Sequence, residues 1–188
     1  MSSILDSSSD QSIRTPFTLR PGQPADGATL VALFDEAIAW MTQHDLTDQW
    51  GTEPFSNSPK RVATCETWAR SGGLTIAERH GVAVAGMVLG EAMPYVPPAT
   101  EPEVYVQVLI GSRRPESRGA GTVLLTHAER VACERGVNLL RVDCFAGNDG
   151  RLVDYYVRCG FTPTEAFTVD RSGTQWPGQI LIKRLDNA

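Results

Sequence analysis

The sequence predicts an α/β domain built on a mixed central sheet flanked by helices. Three observations carry that prediction. Apolar residues recur at helical spacing through "ADGATLVALFDEAIAWMTQH" (25–44) and again through "GTVLLTHAERVACER" (121–135). The second of these helices separates "VYVQVLIG" (104–111) from "LLRVDCF" (139–145), and a strand–helix–strand run of this kind makes a parallel pair. An earlier hairpin, "LTIAE" and "VAVAGMVLGE" about a turn at 79–81, adds antiparallel strands and makes the sheet mixed.

In chain order, "FTLR" (17–20) is a first strand closed by Pro21-Gly22. The helix after it places Leu30, Leu33, Phe34, Ala37, Ile38 and Met41 on one stripe. "DLTDQWGTEPFSNSPK" is rich in turn formers and reads as a loop; a second helix over about 61–70 stops at Gly72-Gly73. After the hairpin, "PYVPPATEPE" is a connection. In the fourth strand Val104, Val106, Val108 and Ile110 are expected on one face, because strand side chains alternate. The third helix carries Leu124, Leu125, Ala128, Val131 and Ala132 on its stripe, with Gly136 as C-cap. Past the fifth strand, Asn148 or Asp149 can cap a short helix through Arg158 that Gly160 ends. "FTVD" and "QILIKRL" supply late strands.

Composition narrows the classes of function. At 188 residues one domain over 16–188 is expected, preceded by a disordered Ser-rich tail over 1–15 that lacks the basic and apolar regions of a secretory signal. A hydrophobic fraction of 41% with 21% charged residues is that of a soluble globular protein. A net charge of -5 argues against a nucleic-acid partner, and no apolar run reaches the roughly 18 residues of a membrane span. Cys65, Cys133, Cys144 and Cys159 show no CxxC spacing, and His44, His80 and His127 no paired spacing. Reduced thiols in a cytoplasmic protein and no metal site are the expectation.

The chemistry concentrates in "ESRGAGTVLL" (116–125). Gly119 and Gly121 precede the third helix, where an ordinary turn would suffice. The functional alternative is that they clear space for a phosphate on the helix's first free amides, with Arg113, Arg114 and Arg118 adding positive charge. A Walker loop is excluded, because no Gly-Lys-Ser/Thr follows a four-residue spacer. A dinucleotide fingerprint would use Asp143, about 20 residues on, as the ribose-binding acid, but Leu124 stands where the third glycine belongs.

Read together, "YVQVLIGSRRPESRGAGTVLLTHAERVACERGVNLLRVDCFAGNDGRLVDYYVRCGF" (105–161) resembles the acyl-CoA-binding half of the GCN5-related N-acetyltransferases, the GNAT superfamily. The likeness extends more loosely to "AIAWMTQHDLTDQWGTEPF" (37–55). It implies a GNAT-like sheet whose fourth and fifth strands splay apart, and acetyl-CoA as co-substrate. Glu116, Ser117, Arg118, Gly119, Ala120, Gly121 and Thr122 fall on the family's pyrophosphate-binding pattern. Leu109, Ile110 and Gly111 fall on the strand that offers its backbone to the pantetheine arm and the thioester carbonyl. Asn148 matches a pantetheine contact, with a plain helix cap as the alternative. Tyr156 matches the tyrosine that protonates the departing thiolate. Two positions depart from the pattern: Glu116 stands where Gln or Arg is usual, and Gly111 where Val is usual.

The resemblance implies transfer of acetyl to an amine acceptor, most simply a small molecule, by direct attack. An acyl-CoA-binding module without turnover, or a dinucleotide enzyme, is the alternative. Tyr156 is the candidate acid, with Tyr155 as its alternate; on a helix the two point about 100° apart, so only one can face the splayed strands. Glu103 and Glu91 are the first candidates for the base that must deprotonate the amine, and Asp143 is a further one. Cys144 has no histidine partner in the pattern and reads as a core thiol. Trp40, Trp50, Phe55 and Tyr95 are expected to roof the acceptor pocket, where Asp45, Asp48 and Glu53 would suit a cationic amine. A homodimer through the late strands is left open.

Overall fold

A computed structural model describes residues 16–171 and 173–185; the segment expected to be a disordered tail, 1–15, lies outside them. Among the described residues seven strands form one mixed sheet in the order β1-β2-β3-β4-β5-β7-β6. β1 (Thr18–Pro21), β2 (Leu74–Arg79), β3 (Val82–Gly90) and β4 (Glu103–Gly111) run antiparallel in succession. β4 pairs parallel with β5 (Leu139–Phe145), while β7 (Thr174–Arg184) lies antiparallel between β5 and the edge strand β6 (Thr162–Arg171). No helix among the described residues is long and apolar enough to cross a membrane.

The helices divide between the two faces as their stripes dictate. On one face α1 (Asp26–Gln43) buries Leu30, Leu33, Phe34 and Ile38 against Ile76 and Val88 of the sheet, with Cys65 and Ala69 of α2 (Pro59–Arg70) in the same cluster. On the other face α3 (Ala120–Glu134) buries Leu124, Leu125, Ala128 and Ala132, and α4 (Arg151–Arg158) adds Tyr156. Gly136 ends α3 at φ +66, its N–H bonded to Cys133 O and that of Val137 to Ala132 O, the paired bonds of a Schellman cap.

The four apolar residues expected on one face of β4 divide between two. Val88 pairs with Val108 but Leu89 with Val106, which leaves Gln107 as an extra residue in β4, a β-bulge. Val104 and Val106 therefore pack on the α3 side, whereas Val108 and Ile110 join α1 on the other. One inserted residue reverses the alternation. The cap expected for α4 is also absent. Asn148 and Asp149 both sit at positive φ in a tight turn, and Gly150 precedes the helix with no side-chain cap bond.

Candidate active site

The sheet opens where β4 and β5 stop pairing. Their ladder runs from Glu103–Leu139 to Val106–Val142 and ends at the bulge. Beyond it Val108–Gly111 pair only with β3, and Asp143–Phe145 only with β7. A cavity of about 640 Å3 occupies the opening, floored by Leu109 and Gln107 on one strand and Asp143 and Cys144 on the other. Tyr156 and Leu152 of α4 close one side.

The bulge sets which backbone groups look into the gap. Ser112 N–H bonds Val84 O at 2.8 Å, so an antiparallel ladder counted back from it turns the amides of Leu109 and Gly111 away from β3, toward the β5 side. Ile110, between them, faces β3 with its main chain and is buried on the α1 side. Of these three residues only Leu109 lines the cavity.

The aromatic wall comes from α1, α2 and the loop between them. Phe34 stacks on Phe55 with centroids 4.2 Å apart and meets the Trp50 edge at 5.1 Å. Trp68 stands behind Phe34, and Tyr95 and Trp176 approach from the β3–β4 connection and the β6–β7 hairpin. Trp40, expected in this roof, lies elsewhere: it stacks on His44, and the Arg113 guanidinium sits 4.7 Å from its ring centroid. Asp48 lines the cavity; Asp45 and Glu53 do not.

Asp143 is the titratable group at the centre. Burial raises its pKa, opposed by the phenols of Tyr105 and Tyr95 that donate to its two oxygens, the latter at 3.3 Å. Burial and the Asp143 charge in turn push Tyr95 up to about 12. Tyr156 is raised well above the usual phenol range by its complete burial, then by Cys144 and its other neighbours, and so holds its proton. Cys144, pushed up to about 12 by burial and then by Asp143, stays a thiol. Tyr155 turns the other way, its hydroxyl against Gly121. Glu103 and Glu91 do not line the cavity. Glu103 stands at the closed end of β4, where its Oε2 lies 2.6 Å from Arg141 Nε.

The glycine loop lies next to this opening but outside the cavity lining. Gly119 precedes α3 at φ +90, a conformation other residues adopt at a cost. Among the described residues the amides of Gly119, Ala120, Gly121 and Thr122 have no acceptor; the first bond at the helix start is Val123 N–H to Gly119 O. Four open donors at the positive end of a 15-residue helix are a fit for a diphosphate. Ser117 spends its hydroxyl inside the loop, on Ser112 O at 2.5 Å and Arg114 O at 2.7 Å. The carbonyl of Glu116 accepts from Arg79 Nη1 at 3.0 Å, while its side chain and that of Arg118 are exposed. Ala120 is buried against the core. Asn148 sits in the turn after β5, away from the cavity lining.

Sequence reasoning missed Glu36, which ties α1 to the start of this loop. Its Oε1 accepts from Ser112 Oγ and Arg113 N–H, both at 2.7 Å, and Arg114 stands 3.5 Å from Oε2. It also missed Arg61 and Arg171, which line the cavity from α2 and β6. Nothing local marks these residues, since partners 76 or more positions away define the first and tertiary folding the other two.

The sequence matches the family described as "Acetyltransferase (GNAT) family" over residues 32–161. Among curated proteins no sequence matches this chain. Solved structures share its fold. Ribosomal-protein-alanine N-acetyltransferase from Brucella melitensis superposes with a TM-score of 0.62 at 21% identity, covering 89% of this chain and 99% of that one. yncA from Salmonella typhimurium, solved with its cofactor acetyl-CoA, gives 0.61 at 18% identity over 93% and 96%. The polyamine N-acetyltransferase of Drosophila melanogaster, which forms N-acetylagmatine, gives 0.62 at 16% identity over 90% and 100%.

Proposed function

The chain belongs to the acetyltransferase (GNAT) family, and from that premise we propose that it moves acetyl from acetyl-CoA to a small-molecule amine by direct attack. The observation that carries this reading is that a neutral phenol, Tyr156, and a carboxylate, Asp143, line one cavity at the splay of β4 and β5.

Acetyl-CoA, when bound, supplies an activated acetyl thioester. The loop from Glu116 to Thr122 holds its diphosphate through the open amides of Gly119 to Thr122. The amides of Leu109 and Gly111 are the main-chain donors for the carbonyls of the arm; for Asn148 the family resemblance alone supports a contact. Amines are protonated near neutral pH, so a base must take a proton before attack. Asp143 takes it, directly or through a water, and the phenols of Tyr95 and Tyr105 keep its carboxylate oriented. Glu103, neutralised by Arg141 at the closed end of β4, is left a structural part. Tyr156 gives its hydroxyl proton to the sulfur as it leaves, and the surplus proton that the nitrogen sheds as the amide forms restores the phenol, directly or through a water. Four rings, Phe34, Trp50, Phe55 and Trp176, screen the exchange from water.

Thiol release from acetyl-CoA across an amine panel, with the acetylated product identified by mass, tests this reading. Product matching thiol supports it. Coenzyme A binding with no release for any amine would make the chain an acyl-CoA-binding module instead.

A further inference from the structure

We propose that the acceptor carries a carboxylate beside its amine, as a free α-amino acid with an apolar or aromatic side chain does. The inference rests on the acetyl-transfer reading for the cavity's use and on two arginines for its content.

Arg61 and Arg171 both line the cavity, and neither has a carboxylate in ion-pair contact among the described residues. Their partners are neutral. Arg61 donates to Glu53 O at 2.8 Å and Trp50 O at 3.3 Å, its guanidinium 4.8 Å from the Phe55 ring centroid. Arg171 donates to Gln49 O at 3.3 Å and stacks on Trp176, 4.2 Å from its centroid. The carbonyls of Gln49 and Trp50 are consecutive, so both cations gather at one edge of the cavity. An arginine has five N–H donors, and these bonds leave most of them free, with no carboxylate among the described residues in direct contact with either guanidinium. A chain of net charge -5 that keeps two such cations at one cavity edge is arranged for an anion.

Tyr95 links the arginine edge of the cavity to Asp143. Tyr95 donates to Asp143 Oδ2 at 3.3 Å, and Arg171 approaches the same phenol, opposing the rise that burial imposes on the pKa of both groups. Base and cation therefore flank one oxygen. With an amine at Asp143, a carboxylate on the same small molecule is offered to Arg171 on the other side of the Tyr95 phenol. The side chain then meets Trp50, Phe55 and Trp68. The other acid in the lining, Asp48, is exposed and leaves the cations unmatched. A polyamine with no anionic group would place its charge against them.

The test compares L-phenylalanine and L-leucine with their primary amides and decarboxylated amines. The free acids should show kcat/KM at least about tenfold higher, the scale of a charge-assisted hydrogen bond. R171Q and R61Q should each raise KM for the acids about tenfold and leave KM for the amides within about twofold. A loosened roof would raise both alike. Amides or simple amines used as well as acids would overturn the proposal while leaving acetyl transfer intact. Should no amine release thiol, the acetyl-transfer reading fails by itself. Calorimetry with coenzyme A present then decides the carboxylate: tighter binding of acid than amide, lost in R171Q, upholds it, and equal binding overturns it.

Discussion

The hydroxyl of Tyr155 lies 2.5 Å from the point that a Cβ on Gly121 would occupy. Gly121 is thus required by a neighbouring tyrosine, which buttresses the first turn of α3 where the open amides are. Alanine at this position should destabilise the protein by about 1–3 kcal/mol, the usual cost of overpacking, and weaken coenzyme A binding. Tyr155→Phe in the same chain leaves the nearest ring atom 3.5 Å away and should recover more than half of both losses. Chemical denaturation of the single and double variants checks this. Additive losses would show that the contact does not govern the turn.

Tyr156→Phe removes the proposed proton donor and leaves the ring against Tyr155 and Phe161, at centroid distances of 5.3 Å and 5.6 Å. With a general acid lost, kcat should fall about a hundredfold or more while KM for acetyl-CoA stays within about twofold. Tyr155→Phe, outside the cavity, should keep kcat within about threefold, since only one of the pair faces the gap. Equal losses in both variants would remove Tyr156 from the role of acid.

How much of this was legible depends on where each signal resides. The β4–α3–β5 unit announces itself through alternation, a helical stripe and Gly136, all local properties of the chain. The bulge at Gln107 does not, because an extra residue is defined only against the partner strand. The β4–β5 ladder ends just before that residue, which leaves Glu103 at the paired end of β4 and Asp143 in the cavity lining. β6 was seen only as "FTVD" since its edge position leaves most of its residues exposed and its pattern nearly blank. Arg61 and Arg171 become neighbours through loop carbonyls, which no spacing encodes.

Asp143 gives the pH dependence. Its pKa is raised above the usual 3.8, and the base must be ionised to accept a proton. Activity should therefore fall on acidification through that raised value, with the limb displaced above 3.8. Stability runs the other way. Between 3.8 and the raised value the folded state binds the proton more tightly than the unfolded one, so stability declines as pH rises through this window. Asp143→Asn should then lose most activity at every pH, yet have a Tm at pH 7 no lower than the parent, the difference closing toward pH 4. A marked drop in Tm at pH 7 would mean that the carboxylate is kept for structure rather than for proton transfer.

Glu36 lies on the opposite side of the bookkeeping of charge. Burial raises its pKa, but Ser112, the Arg113 amide and Arg114 outweigh that and hold it below 4.5. The stability it contributes is present above 4.5 and lost as pH falls through the lowered value. Its two 2.7 Å bonds fix the segment that leads into the glycine loop, far from Tyr156 and Asp143 in function. Glu36→Ala should raise KM for acetyl-CoA about tenfold and change kcat little, as each lost bond to a charged group is worth about 1.5–3 kcal/mol before the loop relaxes. Glu36→Gln keeps an oxygen that can accept from both donors and removes a negative charge near the diphosphate site. It should stand closer to the parent than alanine does. A kcat defect in both variants, with KM unchanged, would show that α1 reaches the chemistry by some route other than this loop.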